Sequence, residues 1–457
     1  MSSQCSRGGI HVKQAINPAE RPLRGEVRLP GDKSISHRAA ILSAIAQGRS
    51  IIRNYAPGAD CQSTLSCLRA LGVAIDRVRV PDGTFTITGC GLDGFKEPED
   101  VLDCGNSGTT MRLFAGILAG QGFFSVLTGD SSLRKRPMAR VVDPLRRMGA
   151  SITGRQGGRF APLAIRGGRL VGVSHTIPIA SAQVKSALLL AGLWAGGETW
   201  VEEPGLSRDH TERLLVAFGG EVLNGASNGT TGTNRVGVRG GMTLSGREFT
   251  VPGDISSAAF FIVAACLVPR SHLILKGVGV NPTRTGILDV LQNMGAEISA
   301  TGSGSRSGAG DGAGGVEPTG DIEARYSKLG ATEIYGDIVP RLIDEIPIIA
   351  VAATQAEGTT IIRDAAELRV KESDRLKGLA AGLRAMGASV EELPDGLVIS
   401  GPTRLKGARV QSFGDHRLAM AFAVAGLIAD GTTTVEDAGC VDISFPGFYN
   451  TLRRLVD

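Results

Sequence analysis

The sequence predicts an α/β protein built from six copies of one unit, three in each of two lobes. Three observations carry that prediction. First, an apolar helix ending that stops at glycine recurs as L-R-A-L-G-V, L-R-R-M-G-A, L-V-A-F-G-G, L-Q-N-M-G-A and L-R-A-M-G-A. Its glycines are 72, 149, 219, 295 and 387, spaced by 77, 70, 76 and 92 residues. Second, capped apolar helices start near Ser34, Asn106, Ser181, Asp254, Asp344 and Asp415, spaced by 72, 75, 73, 90 and 71 residues. Third, each repeat holds short β-patterned segments, such as T-F-T-I-T (84–88), P-L-A-I-R (162–166) and G-L-V-I-S (396–400). About two helices and three or four strands per unit, in alternation, imply α/β layering.

Both helix series stretch in the same interval. That interval contains T-G-S-G-S-R-S-G-A-G-D-G-A-G-G over 301–315, a Gly/Ser-rich composition that reads as a flexible insertion. Removing roughly twenty residues there returns both series to one period, as an internal repeat requires. The phrase P-G-D occurs at Pro30–Asp32 and again at Pro252–Asp254, each before a capped helix. These mark the two crossings between lobes. One lobe is expected over 31–252, the other over 1–30 plus 253–457.

Composition narrows the function classes. The 457 residues are 42% hydrophobic and 21% charged, as in soluble globular proteins. A net charge of +4 over this length and 4% aromatic residues argue against nucleic acid as a partner. The seven cysteines are scattered without C-x-x-C, and the six histidines show no H-x-x-x-H spacing. Neither a disulfide framework nor a metal site is expected, and a reducing, cytoplasmic setting fits. The longest wholly apolar run, Ala258 to Val268, is too short to span a membrane.

Polar residues crowd the helix starts. Ser, Asp and Asn there are natural caps. Capping does not call for cations, because a helix N-terminus already carries about half a positive charge and attracts anions. Yet four of the six starts carry them: Lys33 and Arg38 in G-D-K-S-I-S-H-R, Arg112 in G-N-S-G-T-T-M-R, Lys185 in S-A-Q-V-K-S and Arg417 in G-D-H-R. Arg112 and Lys185 lie a turn inside and can serve the fold by pairing with acids. Lys33, Arg38 and Arg417 are the better ligand candidates, and their repetition points to an anion site shared by several helix starts. His37 reads as structural.

Further clusters fit that picture. S-S-L-R-K-R-P places Arg136 before a proline, which keeps the chain extended; a solvated basic loop is the plainer reading. Arg208 in L-S-R-D-H-T-E-R has possible salt-bridge partners in Asp209 and Glu212. In R-V-K-E-S-D-R-L, Lys371, Glu372 and Arg375 share a face if helical, either as a surface ion-pair ladder or as a carboxylate kept ionisable among cations. Asp344 precedes the apolar I-P-I-I-A-V-A-A, where a cap is the simplest role. Two motifs fail in context. G-C-G-L-D-G (89–94) lacks the helix that dinucleotide binding needs, and no full G-x-x-x-x-G-K-[ST] occurs.

Taken in order, P-G-D-K-S-I-S-H-R, G-N-S-G-T-T-M-R, K-R-P-M, S-A-Q-V-K-S-A, S-R-D-H-T-E, L-I-D-E-I-P, L-R-V-K-E-S-D-R-L and G-D-H-R-L-A-M closely resemble the 5-enolpyruvylshikimate-3-phosphate synthase family from about residue 10 to 450. The resemblance implies a two-lobed enolpyruvyl transferase-like fold of six βαβαββ units. It implies transfer of the enolpyruvyl group of phosphoenolpyruvate to the 5-hydroxyl of shikimate 3-phosphate, with no metal or organic cofactor and action as a monomer. On the same basis Lys33, Ser34, Arg38, Ser181, Ala182, Gln183, Arg208, Asp344 and Lys371 would contact shikimate 3-phosphate. Lys33, Gly108, Arg136, Gln183, Arg375 and Arg417 would hold phosphoenolpyruvate. Asp344 would take the 5-hydroxyl proton, and Glu372 would protonate the methylene carbon.

Two positions depart from some members. Ile443 and Ser444 stand near the C-terminus where a lysine is common, so one phosphoenolpyruvate contact is missing or replaced. Ala182 stands where another branch has Ser. That form resembles the branch with glyphosate-insensitive enzymes, yet those carry Ala where this chain has Gly108, so glyphosate is expected to compete with phosphoenolpyruvate here. Two rivals are weaker. The sister transferase acting on UDP-N-acetylglucosamine uses a cysteine in the loop corresponding to S-S-L-R-K-R-P, which has none. An anion- or RNA-end-binding protein of related repeats would not need the full set of transferase motifs.

Overall fold

The computed structural model describes residues 12–78, 83–225, 234–302 and 317–456. Most of the expected 301–315 insertion lies outside the described residues. The strands flanking it, Ile298–Gly302 and Thr319–Arg325, pair antiparallel.

Twelve helices of eight or more residues are present among the described residues. In chain order they are α1 (Lys33–Ile45), α2 (Ala59–Ala70), α3 (Gly108–Ala119), α4 (Ala139–Arg147), α5 (Ala182–Gly192), α6 (His210–Ala217), α7 (Ile255–Leu267), α8 (Gly286–Asn293), α9 (Ile346–Ala353), α10 (Arg375–Ala385), α11 (His416–Leu427) and α12 (Phe448–Val456). The odd-numbered helices are the six capped apolar helices of the sequence. They are apolar nearly all round; every residue of α7, α9 and α11 is buried. A helix without a polar face belongs inside a lobe. Close packing is visible between α3 and α5, where a Cβ on Gly116 would lie 2.2 Å from the carbonyl oxygen of Ala187.

The caps sit close to the expected starts, with small corrections. Asp32, not Ser34, caps α1: its carboxylate accepts the Ile35 N–H at 2.9 Å. Ser34 is therefore the second helical residue, free to present its hydroxyl elsewhere. Ser107 caps α3 by accepting from Thr110 N–H, and Asp254 and Asp415 cap α7 and α11. Glu345 is the residue at the N-terminus of α9 and makes no cap bond. The five repeated glycines all have φ between +85° and +106°, a region that only glycine enters without strain. That is why each helix stops there.

The repeated strands form five four-stranded sheets and one of three strands. In each four-stranded sheet one short strand pairs parallel with the second, and the other two pair antiparallel. The units at 102–166, 174–239 and 333–401 take all four strands from one continuous stretch. Two units exchange a strand instead. Arg24–Arg28 pairs with His272–Lys276, and Glu248–Thr250 pairs with Ile51–Arg53. Each exchanged strand runs directly into a P-G-D. The two P-G-D segments are bonded to each other: Asp32 N–H donates to Pro252 O at 2.8 Å, and Asp254 N–H to Pro30 O at 3.0 Å. The sixth unit is completed by Gln14–Ile16 lying against Thr433–Val435.

Buried apolar side chains fall into two clusters. One runs from Ile35 to Val251; the other joins Ile16–Leu29 to Ile255–Leu455. This separation supports reading the chain as two lobes, over 31–252 and over 1–30 plus 253–457. Among the described residues no helix is long and apolar enough to cross a membrane.

Candidate active site

The starts of α1, α3, α5, α7, α10 and α11 all reach one cleft between the two cores. Its lining holds nine Lys or Arg side chains against four Asp or Glu. From the first cluster come Lys33 and Ser34 on α1, Gly108 and Arg112 on α3, Arg136 before α4, Gln183 on α5 and Arg208 before α6. From the second come Asp344, Lys371, Glu372, Arg375 and Arg417. A surplus of buried cations at converging helix N-termini is a site for anions.

Two of the four carboxylates, Asp344 and Glu372, are crowded by cations, and their surroundings set their charge. Asp344 accepts from Arg208 at 2.6 Å across the cleft and from Arg375 at 3.2 Å. Lys371 lies 3.9 Å away, and Arg417 donates to the Asp344 carbonyl at 3.0 Å. Burial alone would raise this carboxyl, but Arg417, Lys371, Arg208 and Arg375 hold it well below the usual range. Glu372 pairs with Arg375 and, across the cleft, with Arg136 at 3.5 Å. Burial again pushes upward, and Arg375, Arg136, His416 and Lys33 together keep it well below the ordinary glutamate value. Both groups are ionised at neutral pH.

The cations are held as firmly. Lys33 Nζ lies 3.0 Å from Asp60; burial opposes its charge, while Asp60 and Glu372 favour it, and the net shift is upward. Arg375 is 1% exposed and donates through Nε to Asp415 at 2.7 Å. Arg136 takes the extended conformation its proline imposes and donates to Asn106 at 2.6 Å. The basic loop is therefore not simply solvated: Lys135 is exposed, but Arg136 turns inward.

Three residues expected at the site do not line the cleft. Arg38 is buried one turn deeper on α1. Its guanidinium donates to Thr211 Oγ1 at 2.7 Å, Ser186 Oγ at 2.8 Å and the Ser34 carbonyl at 3.0 Å. Ser181 and Ala182 are half-buried at the start of α5, and only Gln183 beside them enters the lining. A further correction concerns R-V-K-E-S-D-R-L. Lys371 and Glu372 are not helical, because Asp374 caps α10 by accepting from Lys377 N–H at 3.1 Å. The Glu372–Arg375 pair forms across that cap. Ile443 and Ser444 lie outside the lining; a Cβ on Gly58 would come within 2.3 Å of the Ile443 carbonyl oxygen, so this segment abuts the start of α2.

Lys185 serves the fold, as its position suggested: it is fully buried between Glu203 and Glu212, each at 2.8 Å. Arg112 does not. It donates to Gln183 Oε1 at 2.5 Å and faces the cleft, with no acid bonded to it among the described residues. His37 is buried against Thr64 Oγ1 at 2.7 Å, and burial keeps it neutral. Sequence reasoning missed Asp60, Thr109, Arg140, Ser256, Arg284 and His416 as lining residues. Arg284 carried a usable signal, a cation just before the apolar start of α8. Asp60 carried none.

Comparison with known proteins places the chain in one family. A family model described as EPSP synthase (3-phosphoshikimate 1-carboxyvinyltransferase) matches residues 18–452. The 3-phosphoshikimate 1-carboxyvinyltransferase of Geobacter sp. (strain M21) is 55% identical over 442 residues, covering 96% of this chain and 98% of its own. That of Pelotomaculum thermopropionicum is 57% identical over 438 residues, covering 95% and 97%. The solved EPSP synthase from Acinetobacter baumannii superposes with a TM-score of 0.83 at 42% identity, covering 97% of this chain and 98% of that one. The enolpyruvyl transferase NikO from Streptomyces tendae shares the fold, with a TM-score of 0.76 at 19% identity over 96% of both chains.

Proposed function

The chain belongs to the EPSP synthase (3-phosphoshikimate 1-carboxyvinyltransferase) family, and from that premise we propose how its cleft carries out the reaction. The activity is transfer of the enolpyruvyl group of phosphoenolpyruvate to the 5-hydroxyl of shikimate 3-phosphate, with release of phosphate. This is the sixth step of the shikimate pathway, towards chorismate and the aromatic amino acids. Each substrate carries a phosphate and a carboxylate, so the pair brings four anionic groups into one place. A cleft with nine cations and two ionised carboxylates is the single observation that best supports this use.

Lys33, Ser34, Gln183, Arg208 and Lys371 form the side assigned to shikimate 3-phosphate. Arg38 supports that side through the Ser34 carbonyl, with Ser181 and Ala182 at its edge. Gly108, Arg136, Gln183, Arg375 and Arg417 form the side assigned to phosphoenolpyruvate, and Lys33 lies between. Asp344, ionised and flanked by Arg208 and Lys371, accepts the 5-hydroxyl proton. The oxygen then bonds to C2 of phosphoenolpyruvate as C3 gains a proton and becomes a methyl group. In elimination that methyl group loses a proton, the double bond re-forms, and the C2–O bond to phosphate breaks.

Glu372 is the group placed to move the C3 proton. Arg375 and Arg136 hold it ionised. Incoming phosphate and carboxylate groups compete for those guanidinium groups, which removes the stabilisation of its anion and raises its proton affinity. Substrate binding thus arms the acid. The same cations then stabilise charge developing on the leaving phosphate. By resemblance the chain acts as a monomer, and its seven scattered cysteines support a reducing, cytoplasmic setting.

The direct test is phosphate release from phosphoenolpyruvate by the purified protein. Release should require shikimate 3-phosphate. Equal release in its absence would overturn the assignment.

A further inference from the structure

We propose that the loop Asn281–Arg284 is a clasp between the lobes, with Arg284 a positioning residue that fixes the α1 wall carrying Lys33 and Ser34. The inference rests on the reading of the cleft given above. The loop precedes α8 in the second cluster, and its polar side chains reach the first. Asn281 Nδ2 donates to Asp209 Oδ1 at 2.7 Å, and Thr283 Oγ1 to the same oxygen at 3.3 Å. Asn281 also donates to Glu317 at 2.9 Å, which in turn bonds His210 on α6 at 2.7 Å. Asn281 Oδ1 accepts from Thr283 N–H at 2.9 Å, which shapes the loop itself.

Arg284 is the charge centre of the clasp. It is 2% exposed. Its Nη2 donates to Ser256 Oγ at 2.6 Å and lies 3.6 Å from Asp254, 3.9 Å from Asp32 and 3.9 Å from Glu345. Asp32 and Asp254 cap α1 and α7, the first helices beyond the two crossings. One guanidinium therefore stands between the caps of helices in different lobes. The acids outnumber it. Asp254 otherwise faces Asp32 and, more distantly, Arg417; Asp32 faces His210 and Arg208; Glu345 accepts from Ser256 and lies 3.7 Å from Arg417. Burial and Asp32 raise Asp254 to about 6 even with Arg284 in place. Removing Arg284 leaves the two caps to repel each other across the crossing. Asp32 is adjacent to Lys33, so that displacement moves the wall assigned to shikimate 3-phosphate.

The test is a cycle of variants: Arg284→Lys, Arg284→Gln, and Arg284→Gln with Asp254→Asn. Truncating a buried charge partner is costly because of the charges it leaves behind. Arg284→Gln should raise KM for shikimate 3-phosphate roughly tenfold or more, with a smaller change in kcat. Arg284→Lys should keep most of the wild-type KM. Asp254→Asn should recover most of what Arg284→Gln loses, since asparagine caps equally well and removes the repelling charge. Lowering pH from 7.5 towards 5.5 should narrow the gap between Arg284→Gln and wild type, because protonating Asp254 does the same work. The melting temperature of the unliganded variants should follow the same order, whatever the reaction is. If Arg284→Gln does not fold, the paired variant should. A wild-type KM in Arg284→Gln, or a loss that neither Arg284→Lys nor Asp254→Asn relieves, would overturn the clasp. Absence of phosphate release in the wild type would instead overturn the functional reading.

Discussion

Glu372 is held as an anion by Arg375 and Arg136, yet its assigned task is to donate a proton. In the proposed mechanism substrate anions resolve the conflict by taking over those guanidinium groups. Glu372→Gln keeps a hydrogen-bonding side chain of the same size but cannot exchange the proton. It should bind shikimate 3-phosphate about as tightly as wild type and lose turnover by roughly 10²-fold or more, the scale of general acid–base catalysis. Calorimetric binding beside steady-state rates checks this; near-normal turnover would remove Glu372 from its role. Gly108 offers a second test. A Cβ there would meet Arg112 Nη1 at 2.8 Å and Arg136 Nη1 at 3.4 Å, so Gly108→Ala must displace the Arg112 guanidinium. Glyphosate should then inhibit less well, by a larger factor than the rise in KM for phosphoenolpyruvate. Equal factors would contradict it. At this scale the sequence named most of the cleft, because cations placed at helix starts are written in order along the chain. It misjudged Arg112, whose depth in the helix resembles that of Lys185. Only the fold decides which of the two meets carboxylates.

Lys185 shows what an element requires. It ties α5 to the strand Glu198–Glu203 and to α6, with Nζ 2.8 Å from both Glu203 and Glu212. Glu203 Oε1 also accepts from Ser207 N–H at 3.1 Å and Ser207 Oγ at 2.9 Å. Lys185→Met leaves two buried acids without their cation and should cost about 3–5 kcal/mol of stability, the usual penalty for breaking a buried pair from one side. Urea titration measures it; a loss under about 1 kcal/mol would mean that water reaches the acids. Helix ends were legible, since a glycine with positive φ and a carboxylate cap act within a few residues of their own position. The helical phase of Lys371 and Glu372 was not. The cap at Asp374 overrides the apparent i, i+4 ladder by starting α10 at Arg375.

The whole molecule turns on two strands, each the last of its lobe before the chain crosses to the other. Arg24–Arg28 and Glu248–Thr250 each complete a sheet whose other strands lie elsewhere in sequence, then pass through a P-G-D into the opposite helix core. The repeat period announced six units and the two P-G-D phrases announced the crossings, but not which strands pair beside them, because a three- to five-residue strand carries little pattern and its partner is some two hundred residues away. The result places helix starts from both lobes around one cleft, where water can be excluded as substrates bind. The central claim is that Asp344 takes the 5-hydroxyl proton there while Glu372 adds a proton to C3 of phosphoenolpyruvate and removes one again. Carrying out the reaction in D2O tests it most directly. With both substrates present, deuterium should appear in the methylene group of the enolpyruvyl product, and the Glu372→Gln variant should lose that incorporation along with turnover. Product formed at the normal rate with no deuterium in its methylene group would contradict the account.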